Sequence, residues 1–345
     1  MKLPSFSVEK FLGNASDAFE ECSSLAEALH TYGSVIVKDS RIDELENESY
    51  LDLMERYFAQ PKEEKLNDAR AELHYQVGTT PELVEYPRDM SEELTSLTAN
   101  NLPTPFDGPD KKWRFQWRIG ARREYTKFPE LLAEPVIPEN FPEWKQVMDS
   151  WGQKLLDAVF TVSEMLSIGL GLGASTLPEL IRFGTHLLSP TGSDLNLYGD
   201  KPGTVLAGFH YDISFLTIHG RSRFPGLYLW TSEGERIPCK IPKGCLLVQS
   251  GAQLEYLTGG YIKKGYYEII VSEDTCEMVK RRKRRNDHLW AVHPTMYVHV
   301  EPDRVLQPLG EFSHGIQADW YPPIYAGEQV EEELESIRLT RIVGN

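Results

Sequence analysis

In Gly208-Phe209-His210-Tyr211-Asp212, residue types and spacing could together bind a metal ion. Residues two apart in an extended strand point to one face, so the His210 imidazole and the Asp212 carboxylate can meet a single ion. One imidazole nitrogen plus one carboxylate oxygen is two-thirds of the facial triad that holds ferrous iron and leaves positions open for oxygen and substrate. The motif is short, and a surface histidine beside a solvated aspartate is spelled the same way. His299-Val300-Glu301 repeats the pattern elsewhere, so the elements around each copy must decide.

Those elements fall into two halves. Before residue 175 helices dominate. Phe19 to Tyr32 carries apolar residues at helical spacing and stops at Gly33, Ser34-Val35-Ile36-Val37 reads as a short buried strand, and Tyr50 to Ala59 is amphipathic. Residues 76–145 read as a long, proline-rich ordered crossing, pinned to the core by Trp113, Phe115 and Trp117. Phe141 to Leu170 is the longest helical pattern and runs into Gly169, Gly171 and Gly173. From Ile181 short strands punctuated by Gly and Pro take over, at 183–189, 204–210, 214–219, 226–231, 236–240, 245–249, 265–271 and 289–300. The expected fold is mixed α and β. A helical part over 1–175 packs on a jelly-roll core over 176–310, a C-terminal helix lies within 311–345, and all three form one structural unit. His210 and Asp212 then sit at a strand end inside the β-rich half.

Composition narrows the partners. The 345 residues are 41% hydrophobic and 26% charged, as in globular proteins. The formal net charge of -16 argues against nucleic acid, which needs a basic surface. The basic run Lys280 to Arg285 reads as part of a solvated helix spanning 273–286, its charge facing water. No run of 18 apolar residues predicts a membrane span. Cys22, Cys239, Cys245 and Cys276 lack metal-site spacing and suit free thiols in a reducing compartment. The expected location is cytoplasmic.

With these elements in place the chain resembles the isopenicillin N synthase-like 2-oxoglutarate/Fe(II) oxygenases over most of its length. Leu25 to His30 and the strand after Gly33 look like that family's opening elements, and Tyr57-Phe58-Ala59-Gln60-Pro61-Lys62-Glu63-Glu64-Lys65 is similar to its FF-x-LP-x-EEK segment. Gly208 to Leu216 resembles the strand with the first two ligands, Pro225-Gly226-Leu227 its GGL turn, and Pro242, Gly244, Gly251, Leu254, Thr258 and Gly260 a spaced run further on. The resemblance implies a double-stranded β-helix, iron bound at His210 and Asp212, and a small organic substrate oxidised with oxygen.

Two parts of the family's site depart from its pattern. The resemblance places the third ligand, a histidine, some 55 to 60 residues after the first, where Tyr267 stands. It places the R-x-S pair that holds a distal carboxylate at Ala291 and His293, and alanine offers no cationic fork. Use of 2-oxoglutarate is therefore in question. Three arrangements stay open: Tyr267 as a phenolate ligand, which would favour Fe(III) over Fe(II); His293 turned toward the ion; or a degenerate site on a non-catalytic binding or scaffold protein. Arg221 and Arg223 are candidates for a replacement carboxylate clamp. His186, His219, His299 and His314 read as packing or surface groups. The leading expectation is a non-haem iron oxidoreductase with an altered third ligand.

Overall fold

The computed structural model describes residues 2–314 and 318–340. Helix Phe19–Tyr32 ends where Gly33 takes φ +64° and donates its N–H to Leu29 O at 2.9 Å, a left-handed cap that glycine adopts without steric cost. The reversal feeds strand Ser34–Lys38, buried at all but its last residue. Helix Glu44–Phe58 starts earlier than its apolar spacing indicates, because Asp43 accepts the Leu45 N–H at 2.8 Å and caps it. Helix Trp144–Gly169 buries Trp144, Met148, Trp151, Leu155, Val159 and Val162 along one face and packs on Phe19–Tyr32 and Glu44–Phe58.

Two large sheets take the strands. A ten-stranded sheet is antiparallel except for the pairing of Ser5–Ser7 with Ser34–Lys38. It runs through Cys245–Ser250, Leu216–His219 and Thr295–Val298 to His186–Leu188, Trp113–Ile119, Thr191–Asp194 and Trp290–His293. A four-stranded antiparallel sheet has the order Arg236–Pro238, Leu227–Trp230, Tyr266–Ile270, Val205–Tyr211. The last two strands set Tyr267 directly opposite His210.

Three readings are refined. The run 289–300 is two strands, Trp290–His293 and Thr295–Val298, because Pro294 has no N–H to give a ladder and its carbonyl takes the Gly220 N–H at 2.7 Å. The crossing 76–145 contributes a seven-residue strand, Trp113–Ile119, to the main sheet. Trp113, Phe115 and Trp117 do anchor it: Phe115 and Trp144 rings lie 4.6 Å apart, and Trp117 Nε1 donates to Asp149 at 3.0 Å. Thr191–Asp194, unmarked by apolar alternation, pairs with Trp290–His293. All four cysteines are free, and no helix among the described residues is long and apolar enough to cross a membrane.

Gly251 ties the fold to the loop after His210. Its N–H donates to Phe215 O, the Ala252 N–H to Asp212 O and the Gln253 N–H to Ser214 O, all within 3.1 Å. A Cβ on Gly251 would lie 1.9 Å from Ser214 O. Gly251→Ala is expected to destabilise the protein by about 1–3 kcal/mol through this backbone overlap, read as a lower urea midpoint at unchanged slope.

Candidate functional site

His210 ends strand Val205–Tyr211, and Asp212 follows where the chain leaves the sheet. The His210 Nδ1 lies 2.6 Å from the Gly208 carbonyl. That contact makes Nδ1 the N–H donor and leaves Nε2 as a bare lone pair. Burial lowers the His210 pKa against the pull of Asp212 and Asp110, favouring the neutral ring. Nε2 stands 3.8 Å from Asp212 Oδ1, below the roughly 4.2 Å upper limit for two donors each about 2.1 Å from one ion and wider than the roughly 3.0 Å of adjacent donors at a right angle. The other carboxylate oxygen, Oδ2, accepts the Thr217 hydroxyl at 2.6 Å, and Thr217 is braced by Ser214 at 2.9 Å.

Tyr267 stands behind this pair. Its hydroxyl donates to Asp212 Oδ1 at 3.2 Å, and its ring lies 4.2 Å from that of His210 and 5.1 Å from that of His219. Burial first, then Asp212 and Tyr297, raise its pKa well above the usual phenol range, so without a cation the group is a neutral donor. Among the described residues no three His, Cys, Asp or Glu side chains are disposed to hold an ion; the Tyr267 phenol is the oxygen donor in contact with Asp212 at the position where the resemblance expects the third ligand.

The pair opens onto a cavity of about 100 Å³. Arg114, Gln116 and Arg118, alternate residues on one face of Trp113–Ile119, form much of its wall, while the intervening aromatics pack into the core. Helix Ala326–Ser336 contributes Val330, Glu333 and Leu334. Beside His210 lies a buried charge cluster. Glu85 Oε2 bonds Lys112 Nζ and Arg114 Nη2, each at 2.8 Å; Lys112 also pairs with Asp110, whose Oδ1 accepts the Gly208 N–H at 2.9 Å. The charges therefore brace the strand that carries His210.

The other sequence candidates lie elsewhere. His293, Arg221 and Arg223 line a separate cavity of about 380 Å³, together with His219. Burial, then His219, lowers the His293 pKa to about 4. Ala291 is buried in an apolar cluster with Leu195 and Leu289. Arg221 pairs with Glu44 and Glu48, and Arg223 with Glu48, Asp52 and Glu55, so neither guanidinium is available as a clamp at His210 and Asp212. His299 borders the His210 cavity, but its Nδ1 is engaged by Thr185 O at 3.0 Å and burial lowers its pKa to about 4.

Comparison with known proteins bears on the fold. No family model matches the chain. A structure described as a putative 2OG-Fe(II) oxygenase family protein from Caulobacter crescentus superposes with a TM-score of 0.75 at 21% identity, covering 97% of this chain and 99% of that one. A full-length Neurospora crassa protein, solved in complex with alpha-KG, gives 0.74 at 17% identity, covering 96% of each chain. The chain has the fold of the 2-oxoglutarate/Fe(II) oxygenases. The sequence resemblance to a divergent isopenicillin N synthase-like member agrees with it. A Petunia hybrida protein, flavonol synthase/flavanone 3-hydroxylase, is 26% identical over 160 residues, 44% of this chain and 43% of its own length; the match thus spans under half of that relative.

Sequence reasoning missed the wall of the oxygenase-fold cavity. Arg114, Gln116 and Arg118 alternate with Trp113, Phe115 and Trp117, a period-two signal for a strand whose polar face ordinarily turns to water. Here it turns inward.

Proposed function

We propose that the protein is a non-haem iron-dependent oxidoreductase acting on a small organic substrate, with the ion at His210 and Asp212. The observation that carries this reading is the pair of donor atoms, His210 Nε2 and Asp212 Oδ1, 3.8 Å apart at the wall of a cavity lined by polar and apolar side chains. Their outer atoms are fixed by Gly208 O and Thr217, hydrogen bonds of the kind that hold metal ligands in orientation. The two sheets are read as a double-stranded β-helix, and the chain as one structural unit.

Bound iron would supply oxygen activation, chemistry that protein side chains lack. The chain's own residues do the rest. Gly208 O sets the His210 tautomer, Thr217 orients the Asp212 carboxylate, and the Tyr267 phenol would be the third protein donor to a bound ion. The walls and helix Ala326–Ser336 limit water around the substrate. Residues for 2-oxoglutarate fit less well: Ala291 offers no charge, and Arg221 and Arg223 are already paired. No step is assigned to that cosubstrate, although the Neurospora structures hold alpha-KG with thymine or 5-formyluracil.

A second reading, a non-catalytic binding protein on the same fold, is favoured by the Tyr267 hydroxyl already donating to Asp212 where a third ligand is expected. Anaerobic Fe(II) titration followed by exposure to air separates the two. The iron reading expects one tightly held ion per chain and a visible phenolate-to-iron band that is absent in Tyr267→Phe. Failure to retain iron would leave the binding-protein reading; retained iron without the band would remove Tyr267 from the ligand set.

A further inference from the structure

We propose that Arg118 is a receptor for a carboxylate carried by the substrate, so that the cavity takes organic acids in preference to their neutral analogues. This deepens the reading above and rests on it for which end of the substrate reacts. Four cations line the cavity: Arg88, Lys112, Arg114 and Arg118. Arg88 is paired with Glu333, and Lys112 and Arg114 with Glu85. Among the described residues Arg118 has no ion pair. Its side chain is buried, the residue being 5% exposed, and its Nε and Nη1 have no hydrogen-bond partner.

Among the described residues no acid is paired with Arg118; Arg122 opposes its charge and Glu134 offsets it only in part. Glu134 is spent on Arg122 at 3.2 Å and is largely in solvent. The two imidazoles beside it, His186 and His299, have pKa values lowered to about 3 and about 4, with burial as the main cause and Arg118 contributing. Burial lowers the guanidinium pKa itself to about 10, which leaves it charged at neutral pH. An unpaired buried cation is costly, and a planar guanidinium suits a carboxylate.

Position fits a substrate spanning the cavity. Arg118 lies four residues beyond Arg114 on the same strand face, about 13 Å along the chain. Arg114 is close enough to Asp212 to feel its charge. A carboxylate on Arg118 would hold the far end of a molecule whose other end reaches His210 and Asp212. Gln116 lies between them on the same face.

The test uses metal-free protein in EDTA, so that no acid can bind through iron. Phenylacetate, 3-phenylpropionate and 4-phenylbutyrate are titrated calorimetrically beside their amides, with 2-oxoglutarate as a separate arm. At least one aryl acid is expected to bind more than about tenfold tighter than its amide, the worth of a charge-assisted hydrogen bond. Arg118→Gln is expected to erase that preference. Arg118→Met, ligand-free, is expected to raise the Tm by about 2–4 °C, because it removes an uncompensated charge. No acid exceeding its amide, a preference that survives in Arg118→Gln, or a lower Tm in Arg118→Met would each overturn the proposal. Loss confined to 2-oxoglutarate would overturn it too, by moving the carboxylate from substrate to cosubstrate. The iron titration is independent: a protein that fails it yet loses acid preference in Arg118→Gln keeps the receptor and loses the iron.

Discussion

Replacing Asp212 with alanine is expected to abolish iron binding, lowering affinity by more than about 100-fold, beyond the loss typical of an outer-shell change. Asp212 is the point where the site's contacts converge. Oδ1 faces His210 Nε2 at 3.8 Å and accepts the Tyr267 hydroxyl at 3.2 Å, while Oδ2 accepts Thr217 at 2.6 Å. Without the carboxylate one neutral imidazole remains, with a phenol that burial holds in its protonated form. Both hydroxyls also lose a buried acceptor, a cost of about 1–3 kcal/mol in stability. Asp212→Asn separates charge from shape, since the amide oxygen still accepts a hydrogen bond but is a poor ligand. Competition with a chromophoric chelator under nitrogen measures the affinity of both variants. Wild-type affinity in Asp212→Ala would mean that the ion, if bound at all, is held elsewhere.

His210 and Asp212 were legible because their relation is local. Residues two apart at an extended strand end share a face whatever the rest of the chain does, and Asp212 lies one residue beyond the strand that carries His210. The place of Tyr267 came from resemblance, and the register puts it opposite His210. The role of Arg221 and Arg223 was hidden because it depends on a distant helix. Glu44, Glu48, Asp52 and Glu55 recur at intervals of four, four and three, one acidic face of Glu44–Phe58, and that face meets both arginines. A stripe of acids on an amphipathic helix ordinarily reads as a solvated face, and sequence alone does not name what it lies against. The Arg114–Gln116–Arg118 face failed to announce itself for the same reason. Polarity tells which side of a strand avoids the aromatic core, but not whether the other side meets bulk water or an internal cavity. Pro294 was legible in principle, since a residue without an N–H breaks a central ladder, yet the apolar run across it read as one strand.

The second large effect is expected at Glu85, a residue no motif marks. Its side chain is 8% exposed and lies between Lys112 and Arg114, whose own side chains are 5% and 13% exposed. With Asp110 the group carries two negative and two positive charges, removed together from water. Glu85→Ala leaves two buried cations facing one carboxylate, a change that costs about 3–5 kcal/mol where one member of a buried pair is lost. The damage should reach the site, because Asp110 holds the Gly208 N–H and Gly208 O orients His210. Burial alone would push the Glu85 pKa up, but Arg114 and then Lys112 outweigh it and hold the carboxyl below its ordinary 4.5. A group whose folded pKa is depressed contributes stability that is complete above its unfolded pKa and lost as pH falls through the folded one. The stability difference between wild type and Glu85→Gln should therefore be full at neutral pH and shrink below about pH 4.5. Urea melts from pH 7 to pH 3 measure it, and a difference that grows toward acid would contradict the ionised state assigned to Glu85. Adding Arg114→Met to Glu85→Ala removes the cation left without its partner and should recover part of the loss. Additive effects of the two substitutions would show that Glu85 and Arg114 are not coupled, and the charges around His210 would then be independent groups rather than one brace for the strand that carries it.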